Sequence, residues 1–286
     1  MRKKSTNFIE RFDFGENWKN YNKKYLTEEK ILQANDAFIK FTEIQTLKEL
    51  TVIDIGCGSG IHSLNFSRMN PKLLLSFDYD SKSVEATNYL KEVHKNENWD
   101  VKQGSILDEK FLFGLPKFDL VYAWGVLHHT GNVWLAIENS CDLVVKGGFL
   151  HLALYSSDVK MLNKESIYWL RVKEKYNQSS FIVKRLIELS FISRDKSLST
   201  INILRGLIKS LVRRQKDKTK FFSRQNRYRG MSYLIDVRDW LGGWPMEYVS
   251  DDAVIEFIGS KNFVLNKIKK GEACTEFLFK KVSGIN

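Results

Sequence analysis

The stretch Val52-Ile53-Asp54-Ile55-Gly56-Cys57-Gly58-Ser59-Gly60 runs a β-branched apolar segment straight into three alternating glycines. Such a run, cut short by glycine, predicts a buried strand followed by a tight turn. Glycine lets the backbone bend there and approach a ligand closely. A helix expected from His62 to Arg68 would then point free N–H groups and the positive end of its dipole at that turn. A dinucleotide-binding turn reads Gly-x-Gly-x-x-Gly and cradles a pyrophosphate. Here the third glycine comes one residue early and Ile61 holds the sixth place. Asp54, just ahead of the glycines, suits a ligand bearing an ammonium group better than one bearing a pyrophosphate.

Outward from this turn, strands and helices alternate. Leu73 to Phe77 reads as a second strand ending at Asp78, Ser81 to Asn96 as a helix, and 99–103 as a short third strand. Phe118 to Ala123 reads as a fourth strand, Trp134 to Leu143 as a helix, and Phe149 to Leu154 as a fifth strand introduced by a Lys146-Gly147-Gly148 turn. This alternation predicts an α/β fold, a parallel sheet covered on both faces, with ligands beyond the carboxyl ends of the strands. Asp78 ends the second strand, where an acid binds the two hydroxyls of a ribose. Asp80 competes for that role, although Asp80 or Ser81 fits a helix N-cap better.

Ahead of the core, 27–45 predicts a helix beginning at Thr27. Behind it, 155–250 carries helical patterns near 161–176, 180–192 and 198–214 and no clear strand. A helix from Asp251 and two strands near 263–268 and 274–281 follow. The expected organisation is an N-terminal cap or lid over 1–45, a core from 46–154 and 251–286, and a helical insertion on the acceptor side over 155–250.

Several segments resemble class I methyltransferases that use S-adenosylmethionine (SAM). Asp54 to Gly60 resembles their motif I, Phe77-Asp78 their ribose-binding motif, and Gln103-Gly104-Ser105-Ile106-Leu107-Asp108 their adenine-side motif, with Ser105 where an aspartate is usual. Phe118-Asp119-Leu120-Val121 through Leu127-His128-His129 resembles motif IV, and Lys146-Gly147-Gly148-Phe149 the turn before strand five. The resemblance implies a Rossmann-like, doubly wound sheet of seven strands with an antiparallel last strand, carrying the helical insertion. It also implies SAM as cofactor, with S-adenosylhomocysteine (SAH) as its product. The SAM-contacting set it implies is Asp54, Gly56, Cys57, Gly58, Ser59, Gly60, Asp78, Tyr79, Gly104, Ser105, Ile106 and Trp124. Phe12 to Trp18, Trp124 to Gly131, Tyr228 to Ser232, Asp239 to Pro245 and Glu276 to Phe279 resemble a narrower bacterial group without a general acceptor assignment. Several members of that group look like accessory enzymes of surface polysaccharide or small-molecule modification. Lys270 to Thr275 departs from that group's glycine-rich form.

Methyl transfer is an in-line displacement, so the protein must align donor and acceptor and, for a hydroxyl acceptor, take up a proton. His128 and His129 lie just past the fourth strand, and histidine titrates in the useful range; either is a candidate base, His129 slightly favoured, and either could instead pack or cap. Trp18 and Trp244 sit in aromatic, glycine-bearing loops able to wall an acceptor, or simply to pack the insertion. Arg227, Tyr228 and Arg229 are candidates for gripping a phosphate or carboxylate. The chain lacks the Asn/Asp-Pro-Pro-aromatic turn of adenine amino-methylation, and it offers no carboxylate cluster for a divalent metal beyond the fourth strand. No metal is expected.

The chain has 286 residues, a formal net charge of +11 and three cysteines. Cys57, Cys141 and Cys274 lie too far apart for a metal-ligand spacing, which suits a reduced, cytoplasmic protein. No run approaches the ~18 apolar residues of a membrane span. From Arg205 to Arg229 there are ten Lys or Arg and one acid, Asp217. These observations support O-methylation of a small anionic acceptor, such as a sugar, a nucleotide-linked sugar or a phosphorylated metabolite. RNA methylation through the basic 205–229 segment is the alternative. A third reading lays a basic amphipathic helix, Leu198 to Arg214, on an anionic membrane.

Overall fold

In the computed structural model, residues 26–95, 97–158, 164–194, 233–271 and 274–283 are described. A helix α1 (Glu28–Thr42) precedes strand β1 (Thr51–Ile55), and then α2 (Ile61–Arg68), β2 (Leu73–Asp78), α3 (Ser81–His94) and β3 (Trp99–Gln103) follow. The chain continues through α4 (Glu109–Phe113), β4 (Phe118–Trp124), a 3₁₀ turn (Leu127–His129), α5 (Val133–Asp142) and β5 (Val144–Tyr155). Helices α6 (Lys164–Gln178), α7 (Phe181–Arg194) and α8 (Tyr233–Gly242) come next, then α9 (Asp251–Gly259), β6 (Phe263–Lys270) and β7 (Cys274–Lys281).

The strands form one seven-stranded sheet in the order β3-β2-β1-β4-β5-β7-β6. The first five are parallel, and β7 runs antiparallel to both β5 and β6. This is the expected fold class, antiparallel last strand included. Side chains alternate between two buried layers. Leu120 and Tyr122 of β4 meet Ile31, Phe38, Leu64, Phe66 and Leu90 of α1–α3. Val121 and Ala123 meet Val133, Ala136 and Ile137 of α5 and Val254 and Ile258 of α9. Because both faces are covered, the central strands read as continuous apolar runs rather than alternating ones.

Local chemistry explains most boundaries. The Thr27 hydroxyl accepts from the Lys30 N–H and starts α1, which stops at Thr42 because Glu43 turns left-handed (φ 63°). Asp80, not Asp78, caps α3, its carboxylate accepting from the Lys82 N–H at 2.9 Å. One expectation needs correcting. Lys146-Gly147-Gly148 is not a turn ahead of β5 but a bulge within it: Val144 pairs with Phe118, and the next pair is Phe149 with Leu120. Gly147 takes φ +82°, and a Cβ on Gly148 would lie 2.8 Å from the Asp119 carbonyl oxygen. Only glycine lets the extra residues loop out while the strand continues.

Between β5 and α9 the described residues form α6, α7 and α8 and, apart from an isolated bridge between Ser156 and Val249, no strand. The expected helix at 198–214 lies outside the described residues.

Candidate active site

The glycine turn hangs from the end of β2. Gly56 and Cys57 donate their N–H groups to the Phe77 carbonyl at 2.8 and 3.1 Å. Gly58 donates to Asp78 Oδ2 at 2.9 Å, and Asp80 donates to Asp78 Oδ1 at 2.9 Å. Gly56, Gly58 and Gly60 all have positive φ. Space enforces glycine as well as torsion: a Cβ on Gly56 would lie 2.4 Å from Val126, and one on Gly60 would lie 2.9 Å from Thr87. Gly56 therefore lets the turn after β4 close against the turn after β1, bringing the two halves of the site together.

Asp54 is buried beneath this turn. A chain of donors leads to it: Trp99 Nε1–H to Ser76 Oγ at 2.8 Å, Ser76 to Ser63 Oγ at 2.8 Å, and Ser63 to Asp54 Oδ2 at 2.5 Å. Burial raises the Asp54 carboxyl to about 7, against the lowering effect of the Ser63 hydrogen bond. Burial also raises Asp78 to about 6, opposed by its backbone donors. A buried carboxylate held above its ordinary range gains from a cation beside it.

Gly104 donates its N–H to the Asp78 carbonyl at 2.9 Å, and the Phe111 ring fills the space where its Cβ would be. Ser105 Oγ accepts from the Leu107 N–H at 3.2 Å, and the Ile106 carbonyl accepts from Asn139 at 2.7 Å. Ile106 is buried, and Tyr79, just after Asp78, is half exposed. Cys57 is buried and its thiol receives the Thr87 hydroxyl at 3.3 Å; burial pushes its pKa well up, so it is no nucleophile. Trp124 ends β4 with its ring 6.3 Å from that of His62. The expected SAM-contacting residues thus gather at the carboxyl ends of β1, β2, β3 and β4. A carboxylate deep under the turn and another at the end of β2, flanked by an apolar shelf at Ile106, fit a cationic nucleoside. A buried carboxylate directly beneath the turn, Asp54, does not suit a pyrophosphate.

His128 and His129 form the 3₁₀ turn beyond β4, with rings 4.4 Å apart. Their environments differ. His128 Nδ1 accepts from the Tyr155 N–H at 3.3 Å, and its ring lies 4.1 Å from that of Tyr155. His129 Nδ1 lies 2.7 Å from the Pro245 carbonyl oxygen, which can only accept. That contact sets the Nδ1–H tautomer and leaves Nε2 as the ring's accepting nitrogen. Burial and then the Lys173 ammonium hold His129 down at about 3, against the Pro245 hydrogen bond; His128 is pushed well below its ordinary range by burial, His129 and Lys173.

Glu247 donates its N–H to the His128 carbonyl at 2.9 Å, and Val249 donates to the Tyr155 carbonyl at 3.1 Å. These bonds tie the segment after α8 to the histidine turn. They place the half-buried Trp244 one residue from the His129 partner. Trp240 does something else: its ring packs against Trp169 and Phe191 inside the helical layer. Trp18, Arg227, Tyr228 and Arg229 lie outside the described residues, as do most of the N-terminal cap and the basic 205–229 segment.

Two residues here had no signal in the sequence. Lys173 is fully buried in α6, donating to the Trp240 carbonyl with Nζ 4.2 Å from that residue's ring centroid. A lysine in a helix ordinarily reads as surface. His62 lies in the first turn of α2 with its ring 5.1 Å from Tyr122; burial lowers it to about 4. Among the described residues no group of three or more His, Cys, Asp or Glu could hold a metal ion, and no helix is long and apolar enough to cross a membrane.

Comparison with known proteins accords with this geometry. The family model described as a methyltransferase domain matches residues 27–247. Magnesium protoporphyrin IX methyltransferase from Synechocystis PCC 6803, solved with bound SAM, superposes with a TM-score of 0.51 at 12% identity, covering 97% of this chain and 92% of that one. The same enzyme with bound SAH gives 0.50 at 13% identity, covering 93% of each chain. At such identity the likeness is one of fold. The ubiquinone biosynthesis O-methyltransferase of Pelagibacter ubique (strain HTCC1062) is 24% identical over 114 residues, 40% of this chain and 45% of that protein. Ribosomal protein L11 methyltransferase of Thermoanaerobacter pseudethanolicus is 34% identical over 71 residues, 25% of this chain and 23% of that protein. The chain spans less than half the length of these curated relatives. With the family model covering most of the chain, the protein belongs to the methyltransferase-domain family, and its seven-stranded sheet carries the fold it shares with the SAM- and SAH-bound structures.

Proposed function

We propose that the enzyme methylates a hydroxyl group of a small anionic acceptor, a sugar, nucleotide-linked sugar or phosphorylated metabolite, bound beside the His128–His129 turn. The observation that carries this reading is the tautomer set at His129, whose Nδ1 lies 2.7 Å from the Pro245 carbonyl. When bound, SAM supplies an electrophilic methyl group on a sulfonium that leaves as a neutral thioether. The chain's own residues do the rest. Asp78 holds the ribose hydroxyls, Asp54 balances the ammonium group, and Gly104, Ser105 and Ile106 line the adenine. His129 takes the proton of the acceptor hydroxyl as the new C–O bond forms. The buried Lys173 ammonium, whose field lowers both histidines, favours an acceptor carrying negative charge. The named activity of the Pelagibacter relative, an O-methyltransferase, supports oxygen as the atom methylated, and the resemblance of the chain ends supports a sugar.

The test is a screen with methyl-labelled SAM against sugar nucleotides, sugar phosphates and transcribed RNA. Label is expected in at least one sugar acceptor as an alkali-stable methyl ether. Label in RNA alone would overturn the proposal in favour of the 205–229 segment as a backbone-binding surface.

The carboxylates add a pH signature. With Asp54 raised to about 7 and Asp78 to about 6, both must shed protons to receive a cationic nucleoside. SAM affinity is therefore expected to fall as pH drops from 7 to 5, on the order of tenfold per unit once one group is protonated. Titration calorimetry in buffers of different ionisation heat should show proton release on binding at pH 6. A flat affinity with no proton release would take both acids out of the site.

A further inference from the structure

Helix α7 (Phe181–Arg194) faces two ways. Ile187, Phe191 and Ile192 turn inward and pack on Tyr176, Val237 and Leu241. On the opposite side Ile182, Leu186 and Leu189 recur at i, i+4 and i+7, a single helical stripe. They are 71%, 60% and 63% exposed, and Phe181 at the stripe's edge is 69% exposed. Three aliphatic side chains and an aromatic ring held out in register on one helix are unlike scattered surface hydrophobics, and such a patch marks a contact surface.

Charge says which kind of surface. Arg185 borders the stripe, its guanidinium 4.7 Å over the Phe181 ring and 2.6 Å from Glu188 Oε2, and Lys184 lies 5.6 Å over the Tyr176 ring, so the positive charge that matters is that of the whole chain. The chain's net charge is +11, and the sequence following this helix holds ten cations and one acid between Arg205 and Arg229. An aliphatic stripe on a cationic molecule matches a surface that offers hydrocarbon below and negative charge above. A nucleic acid would reward the cations but leave the stripe in water, and a second copy of this chain would bring its own positive charge against the first.

We propose that the outer face of α7 docks the enzyme on an anionic lipid bilayer, with Phe181, Ile182, Leu186 and Leu189 entering the headgroup boundary and the chain's excess positive charge drawing it to lipid phosphate. The docked helix lies flat on the bilayer and does not span it. This inference does not depend on which acceptor is methylated. It would place the enzyme where lipid-linked anionic acceptors are concentrated.

The test is co-sedimentation of the full-length protein with vesicles of phosphatidylcholine alone and of phosphatidylcholine mixed with phosphatidylglycerol, at low and high salt. Binding is expected on the mixed vesicles, weakened by salt. The triple variant Ile182→Ser, Leu186→Ser, Leu189→Ser should lose at least about tenfold in vesicle affinity while keeping its affinity for SAM and its melting temperature. Several results would overturn the proposal. One is failure of the native protein to bind mixed vesicles, whether or not it binds RNA. A second is equal binding by the triple variant. A third is a native dimer in light scattering that the triple variant dissolves without any effect on lipid. The last is a lowered melting temperature in the triple variant with no change on vesicles, which would mean that the chain covers this stripe with another of its own segments.

Discussion

Asp78→Ala is expected to weaken SAM binding by about two orders of magnitude or more, with the fold intact. The carboxylate does two jobs at the end of β2. It accepts the Gly58 and Asp80 N–H groups at 2.9 Å each, fixing the glycine turn relative to the strand. In the proposed complex it also accepts both ribose hydroxyls. Hydrogen bonds to a charged group contribute roughly 1.5–3 kcal/mol each, and about 1.4 kcal/mol is tenfold in affinity, so loss of the two ribose bonds alone reaches about a hundredfold. The apolar layers on either side of the sheet do not include Asp78, so the fold should persist, with the melting temperature lowered by the loss of the bonds to Gly58 and Asp80. Asp78→Asn, which keeps the shape and one acceptor oxygen, should fall between the native protein and the alanine variant. Calorimetric titration with SAM and a thermal melt check both parts. An unchanged dissociation constant in Asp78→Ala would remove this residue from the site.

His129→Ala is expected to lower turnover about 10²–10⁴-fold, the range lost with a positioned acid–base group, and to leave SAM affinity unchanged. The Pro245 carbonyl leaves Nε2 of His129 as the accepting nitrogen. In His128 the bond from the Tyr155 N–H uses Nδ1 as acceptor, which puts that ring's proton on Nε2. His128 is thus set to donate or pack, and His128→Ala should cost less turnover than His129→Ala. A histidine held near 3 is a weak base, but it needs no more strength than this. The acceptor oxygen becomes strongly acidic as it gains the methyl group, so the proton moves late and downhill. The same low value keeps His129 neutral through the ordinary range. At saturating SAM, turnover should therefore show no histidine ionisation between pH 5.5 and 7.5, roughly the window in which an unperturbed imidazole titrates. Full turnover in both alanine variants would sink the assignment of a base at this turn.

Residues near in sequence, by their chemistry and spacing, determined the elements and their order. A β-branched run closed by Gly56, Gly58 and Gly60 can be a strand, a turn and a helix start and little else, because each torsion requirement is met within a few residues. The same holds for Thr27 and Asp80 as caps, for Asp78 at a strand end, and for β7 at Cys274–Lys281. Where two local readings were compatible, tertiary contacts decided. Lys146-Gly147-Gly148 could be a turn or a bulge, and pairing of Phe118 with Val144 made it a bulge. His128 and His129 are identical in type and adjacent. Only the arrival of Tyr155 at one ring and of Pro245, 116 residues away, at the other gives them different tautomers. Lys173 reads as a surface lysine until α8 covers it, and the stripe on α7 reads as core although Ile182, Leu186 and Leu189 are exposed. Backbone conformation answers to near neighbours along the chain. Protonation, exposure and the role of a side chain answer to whatever the fold brings beside it, and that information is held in the packing of distant segments.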